Sequence, residues 1–166
     1  MTENRISCHE RALRLLAARP HFRAELGRKL LTRGYPPDEV EATLRRCAEQ
    51  GYLDDEATAR AFVAERQERR GLGKARVAAE LRRRGAAAGA VTAALAGVGD
   101  DDELGRAREA AAKWRRRDAA GPAARAALAR HLDRKGFSRR AIVTVLEEAG
   151  AAEGAGLDEA EPEPAD

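Results

Sequence analysis

The sequence predicts an all-α protein: three tandem three-helix repeats, about nine helices in an elongated, curved array, followed by a disordered acidic tail. Three observations carry this. Gly34, Gly85 and Gly136 stand 51 residues apart and share one frame. Leu30, Leu81 and Leu132 precede them by four residues, and Leu26, Val77 and Leu128 by eight. Val40, Val91 and Ile142 follow by six, and Leu44, Leu95 and Leu146 by ten. A fixed period of this size marks a repeat protein. Each glycine also falls where a left-handed cap ends a helix, with apolar residues at helical spacing on both sides. Strand signals are nearly absent: there is no alternating β-branched run and no Asn-Gly turn. Only 4% of the 166 residues are aromatic, so the expected core is thin and built from Leu, Val and Ala.

The elements follow in order. A first helix is expected from about Arg5 to Ala18, with Ala12, Leu13, Leu15 and Leu16 on its apolar side. Pro20 suits the first turn of a second helix that ends near Gly34. Pro36-Pro37 start the third, which buries Val40, Leu44 and Cys47 and stops at Gly51; this is repeat one, residues 5–52. Repeat two, 53–98, opens on Asp54 and Asp55 as N-cap candidates. Ala59, Phe62, Val63 and Arg66 share a stripe of its first helix. Its second helix carries Val77 and Leu81 and leaves at Arg82–Gly85; its third carries Val91 and Leu95. Repeat three, 100–149, opens on Asp100 and Glu103, which resemble a capping box. Gly121-Pro122 break that helix after Trp114. Leu128 and Leu132 mark the next, and Ser138 caps the last, with Ile142, Val145 and Leu146 inside. Residues 150–166, rich in Ala, Gly, Pro and acids, are expected to be disordered. Three small helices cannot close a core alone, so neighbouring repeats are expected to stack.

The net charge of +3 hides an asymmetry. Residues 151–166 carry six acids and no base, which leaves 31 bases against 22 acids in residues 1–150, a net +9. A basic body suggests a polyanionic or acidic partner. The N-terminus is broken by charge every few residues and does not read as a signal peptide. No 18-residue apolar run exists to span a membrane. Cys8 and Cys47 are too few and too far apart for a disulfide framework and fit a reducing cytosol, so a cytoplasmic protein is expected; it is also expected to be a monomer.

Residues suited to catalysis are not evident. His9, His21 and His131 lack partners at metal-ligand spacing, and Cys47 reads as a small core residue. Gly71-Leu72-Gly73-Lys74 follows no strand and reads as a turn between helices rather than a phosphate loop. Asp54-Asp55 read as caps rather than paired catalytic carboxylates. No catalytic residue, metal or cofactor is expected. The basic clusters are the candidate partner contacts. Arg66, Arg69, Arg70, Lys74 and Arg76 surround the turn between the fourth and fifth helices, and Arg82, Arg83 and Arg84 end the fifth. Arg115, Arg116 and Arg117, then Arg134, Lys135, Arg139 and Arg140, repeat the pattern in repeat three. Bases at helix C-termini complement the dipole, but these are denser than capping needs. Tyr35, Tyr52, Phe62, Trp114 and Phe137 fall at packing positions, which argues against base stacking.

The stretch from Ala12 to Arg66 closely resembles the RecX family of recombination regulators. The strongest likeness lies in RAEL…LL.RGY (Arg23 to Tyr35) and GYLDDE.TARAFV (Gly51 to Val63), and RHLDRKGFSRRAIVTVL (Arg130 to Leu146) is also similar to the family. Thr58 stands where an aromatic is common, and Ala-Ala-Ala-Gly follows Gly85. The resemblance implies tandem three-helix repeats that lie in the groove of the RecA filament on single-stranded DNA. It implies restraint of filament growth, and so of ATP hydrolysis, strand exchange and the co-protease activity behind the SOS response. It does not place contacts residue by residue. On charge alone, exchanging Arg82, Arg83 and Arg84 together for Glu is expected to weaken inhibition with helicity intact. The alternative is a general DNA-binding protein of helix-turn-helix type, acting on single- or double-stranded DNA without RecA. A third is an adaptor whose bases are incidental.

Overall fold

The computed structural model describes residues 6–115 and 122–158. Among these it contains nine helices and no strand: α1 (Cys8–Ala18), α2 (Arg23–Leu31), α3 (Pro37–Glu49), α4 (Asp55–Arg70), α5 (Lys74–Arg84), α6 (Ala88–Ala96), α7 (Asp100–Arg115), α8 (Pro122–Arg134) and α9 (Arg139–Asp158). The expected start of α1 at Arg5 lies outside the described residues.

The 51-residue frame appears as one repeated turn. Gly34, Gly85 and Gly136 have φ of 79°, 95° and 81°. In each case the glycine N–H donates to the carbonyl three residues back: Leu31, Arg82 and Asp133, at 2.8–2.9 Å. The next N–H, of Tyr35, Ala86 or Phe137, donates to the carbonyl of Leu30, Leu81 or Leu132. This is the Schellman pattern, and all six of those residues are buried. A local rule therefore ends α2, α5 and α8 alike.

Compactness divides the chain into two units: residues 1–65 with 78–97, and 66–77 with 98–166. The helices of the second repeat are shared between them. In the first unit α1, α2 and α3 pack on one another. Their core is Cys8, Ala12, Leu26, Leu30, Tyr35, Val40, Leu44, Cys47 and Leu53. In the second unit α7, α8 and α9 do the same around Leu128, Leu132, Phe137 and Val145. Ile142, Leu146 and Trp114 are only partly buried there. Alanines 107, 110, 111 and 141 complete that core, the thin aliphatic packing that the composition predicts.

Several boundaries differ from the sequence reading. Pro20 is not in the first turn of α2, which begins at Arg23; the Asp55 carboxylate accepts the Arg23 N–H at 2.7 Å and fixes that start. Asp54 caps its own helix, accepting the Ala57 N–H at 2.9 Å, whereas Asp55 caps α2. The expected capping box of α7 does not form. Glu103 accepts the Lys74 N–H at 3.1 Å and caps α5, and Asp100 takes the Lys74 ammonium at 2.8 Å. Acids that look local in sequence thus cap the helix of the preceding repeat. Ser138 caps α9 as expected, accepting the Ala141 N–H. α9 continues past Gly150 to Asp158, where alanine favours helix over the disorder expected from 150 onward. Residues 159–166 lie outside the described residues.

The glycines give a graded test. Gly51 has φ +75° with nothing within 4 Å of an added Cβ, so Gly51→Ala is expected to cost about 1 kcal/mol of backbone strain. At Gly136 the same atom would stand 2.3 Å from the Arg76 backbone nitrogen. Gly136→Ala is expected to cost about 2 kcal/mol or more beyond that, because backbone cannot yield as a side chain can. Urea unfolding midpoints of the two variants decide it; equal losses would mean that α5 and α8 are not closely apposed.

Candidate partner-binding surface

The fifteen basic candidates divide by what surrounds them. Arg84 is engaged by the fold on several sides. Its side chain is 24% exposed and donates to the Glu25 carboxylate at 3.0 and 3.3 Å and to the Pro20 carbonyl at 2.9 Å. Its guanidinium also lies 5.2 Å from the ring centres of both Phe22 and Phe62. Lys135, 51 residues later, plays the matching part in the second unit. Its ammonium donates to the Arg70 carbonyl at 3.0 Å and to the Gly71 carbonyl at 3.4 Å. Burial lowers its pKa, with Lys113 adding to the effect. Lys74 is held by Asp100, whose carboxyl it keeps below the usual range. These three bases hold the protein's own backbone and acids together.

The other described bases differ in exposure. Arg82 and Arg83 are exposed at the end of α5, in the first unit. In the second unit Arg69, Arg70, Arg76, Arg134, Arg139 and Arg140 are exposed and Arg66 is half-buried. The Lys135 clamp brings the end of α4, with Arg69 and Arg70, beside the end of α8, with Arg134. Arg140 lines a crevice of about 280 Å³ with Lys74, Asp100, Asp101 and Ser138, so acids temper the charge there. The structure does not describe the Arg115 side chain, and Arg116 and Arg117 lie outside the described residues. Changing Arg82, Arg83 and Arg84 together therefore mixes two effects, because Arg84 belongs to the fold.

The joint around Arg84 contains the residue that sequence reasoning missed. Glu25 is 11% exposed at its side chain and also takes the Arg19 guanidinium, with Lys29 at 3.6 Å. Burial pushes its carboxyl up, but the hydrogen bonds and charges of Arg19 and Arg84 outweigh this and lower it to about 2. His21 is buried beside it. Its Nδ1 donates to the Arg19 carbonyl at 2.8 Å, and its Nε2 accepts from the Lys29 ammonium at 2.8 Å. Burial, together with the nearby bases, lowers its pKa and keeps the ring neutral. The available signal was in the frame: a base precedes each glycine, at Arg33, Arg84 and Lys135.

Cys8 and Cys47 are buried in the first core, which raises both thiols away from reactivity. No group of three or more His, Cys, Asp or Glu among the described residues could hold a metal ion. No helix among them is long and apolar enough to cross a membrane. Phe62 and Phe137 are buried as expected, but Tyr52 is 58% exposed and is not the packing residue the sequence suggests. Its neighbour Leu53 takes that place, buried in the first core.

Comparison with known proteins places this geometry. Residues 8–47 match the family model described as RecX, first three-helix domain, and residues 54–95 match RecX, second three-helix domain. The Regulatory protein RecX of Ectopseudomonas mendocina is 41% identical over 101 residues, which is 61% of this chain and 67% of that protein. The chain belongs to the RecX family. Regulatory protein RecX of Halorhodospira halophila is 49% identical over 84 residues, and that of Mycolicibacterium vanbaalenii is 43% identical over 97. Those matches cover 51% and 58% of this chain, and about half the length of each relative (52% and 53%). A crystal structure of regulatory protein RecX superimposes with a TM-score of 0.77 at 23% identity, covering 84% of this chain and 71% of its own. RecX from Lactobacillus salivarius gives 0.77 at 20%, covering 85% and 93%. These two likenesses concern the fold.

The Glu25 and His21 shifts make the RecX fold acid-sensitive. Both groups have lowered pKa values in the folded state, so each adds stability above its unfolded pKa and loses it as pH falls. The loss is expected to begin below about pH 6.5 through His21 and to continue from about pH 4.5 toward 2 through Glu25. Glu25→Gln is expected to lower stability at pH 7 by on the order of 2 kcal/mol and to flatten the lower limb. Urea unfolding at pH 7, 5 and 3 tests this; an unchanged acid slope in the variant would remove Glu25 from the joint.

Proposed function

We propose that this protein is a non-enzymatic, cytoplasmic modulator of the RecA recombinase, acting chiefly as an inhibitor. In this reading it binds the RecA filament on single-stranded DNA, lies in the filament groove and restrains extension. ATP hydrolysis, strand exchange and co-protease activity fall as a consequence. Membership of the RecX family supports the partner. The observation that carries the contact surface is the sorting of bases. Arg84, Lys74 and Lys135 are consumed by the fold, while Arg82 and Arg83 in one unit, and Arg69, Arg70, Arg134, Arg139 and Arg140 in the other, remain exposed. Exposed bases that the fold does not need are suited to acidic protein surface and to phosphates.

RecA ATP hydrolysis on single-stranded DNA tests this directly. Added well below one molecule per RecA, the protein is expected to slow hydrolysis. Arg82→Glu with Arg83→Glu is expected to raise the concentration for half-inhibition about tenfold at unchanged helicity. Arg139→Glu with Arg140→Glu makes the same comparison in the second unit. No inhibition by the unaltered protein, together with tight and steeply salt-dependent DNA binding, would replace this reading with direct DNA binding.

A further inference from the structure

Leu31 breaks the rule of its own frame. The equivalent positions, 51 and 102 residues on, are Arg82 and Asp133, and all three face solvent. Charge suits that position in the other two repeats, yet repeat one carries a leucine that is 46% exposed. Leu31 stands at the edge of an open groove of about 380 Å³ between α2 and α3. The groove is lined by Ala24, Gly27, Pro37, Val40 and Leu44, an aliphatic surface without an aromatic ring. The helices approach closely there because residue 27 has no side chain: a Cβ would stand 3.2 Å from Leu44 Cδ1.

The rim is charged and unbalanced. Arg23 is paired with Glu41 across the groove. Arg28 lines it as well, exposed, with its Nη2 on the Arg84 carbonyl at 3.3 Å. That bond places Arg28 beside the end of α5, where Arg82 and Arg83 are also exposed.

We propose that this groove is a docking site for an acidic, amphipathic helical segment of a partner protein, anchored by an aliphatic side chain against Leu31. An apolar floor recognises a helix through anchors at helical spacing, and the basic rim selects acidic flanks. Nucleic acid suits it less, because the floor offers nothing to stack on a base. The site lies wholly within the first unit and stands whatever the partner in the cell.

The test uses the full chain and a defined probe: a fluorescent synthetic helix of about 18 residues, leucines on one stripe and glutamates elsewhere. Anisotropy is expected to report saturable binding, weakened at least about tenfold by Leu31→Asp. Asp133 occupies the matching position in repeat three, so this substitution is compatible with the fold, and circular dichroism is expected to be unchanged. Arg28→Glu is expected to weaken binding too, with a loss that shrinks as salt rises. The same peptide with lysine in place of glutamate is expected to bind poorly. Absence of binding, equal affinity for Leu31→Asp, equal affinity for the lysine peptide, or displacement of the probe by oligo-dT would each overturn the proposal. Neither RecA nor single-stranded DNA is present in the primary titration, so its outcome is independent of the ATP hydrolysis assay.

Discussion

A base followed by a left-handed glycine closes α5 and α8, and in each unit that turn is seated on the start of an earlier helix. Gly85 lies against Ala24 and the Glu25 amide; Gly136 lies against Arg76. The base beside each glycine reaches the backbone just ahead of that earlier helix: Arg84 to Pro20, Lys135 to Arg70 and Gly71. From the other side, acids of the following repeat cap the same helix start, Asp55 on Arg23 and Glu103 on Lys74. The first N–H groups of a helix have no intrahelical partner, so these caps satisfy donors that burial would otherwise strand. Each of the two small apolar cores, one among α1, α2 and α3 and one among α7, α8 and α9, lies beside such a joint.

The two joints use one geometry with different chemistry. In the first unit a nearly buried carboxylate collects Arg19, Lys29 and Arg84. In the second unit the position equivalent to Glu25 is Arg76, which is exposed. There the work passes to backbone: the Gly73 N–H donates to the Lys135 carbonyl at 2.9 Å, and the Ala75 N–H to the Gly136 carbonyl at 3.1 Å. Gly73 is required by this approach, since a Cβ would stand 2.2 Å from the Gly136 oxygen. Charge therefore makes the first joint sensitive to pH and salt, and backbone contact makes the second sensitive to side-chain volume.

The helices, their glycine stops and their buried leucines were legible because each depends on residues within one or two turns. Leu26, Leu30, Val77, Leu81, Leu128 and Leu132 are all buried, as helical spacing demands. The site was legible only as a set of bases. Arg83 and Arg84 are indistinguishable in sequence, but one residue of helix turns the side chain by about 100° and decides between solvent and Glu25. Glu25 and Arg84 are 59 residues apart, beyond any local pattern. For the same reason Asp55 and Glu103 read as caps of their own helices, although their partners lie in the preceding repeat.

The most direct measurement is a double-mutant cycle between Arg84 and Glu25, with Arg84→Met, Glu25→Gln and the pair compared by urea unfolding at pH 7. If this ion pair holds the first joint, the two single losses exceed what the pair loses together, by about 1 kcal/mol or more. Losses that add to within about 0.5 kcal/mol would show that the two side chains act independently. Arg84 would then be one more base at the end of α5 and no part of the joint.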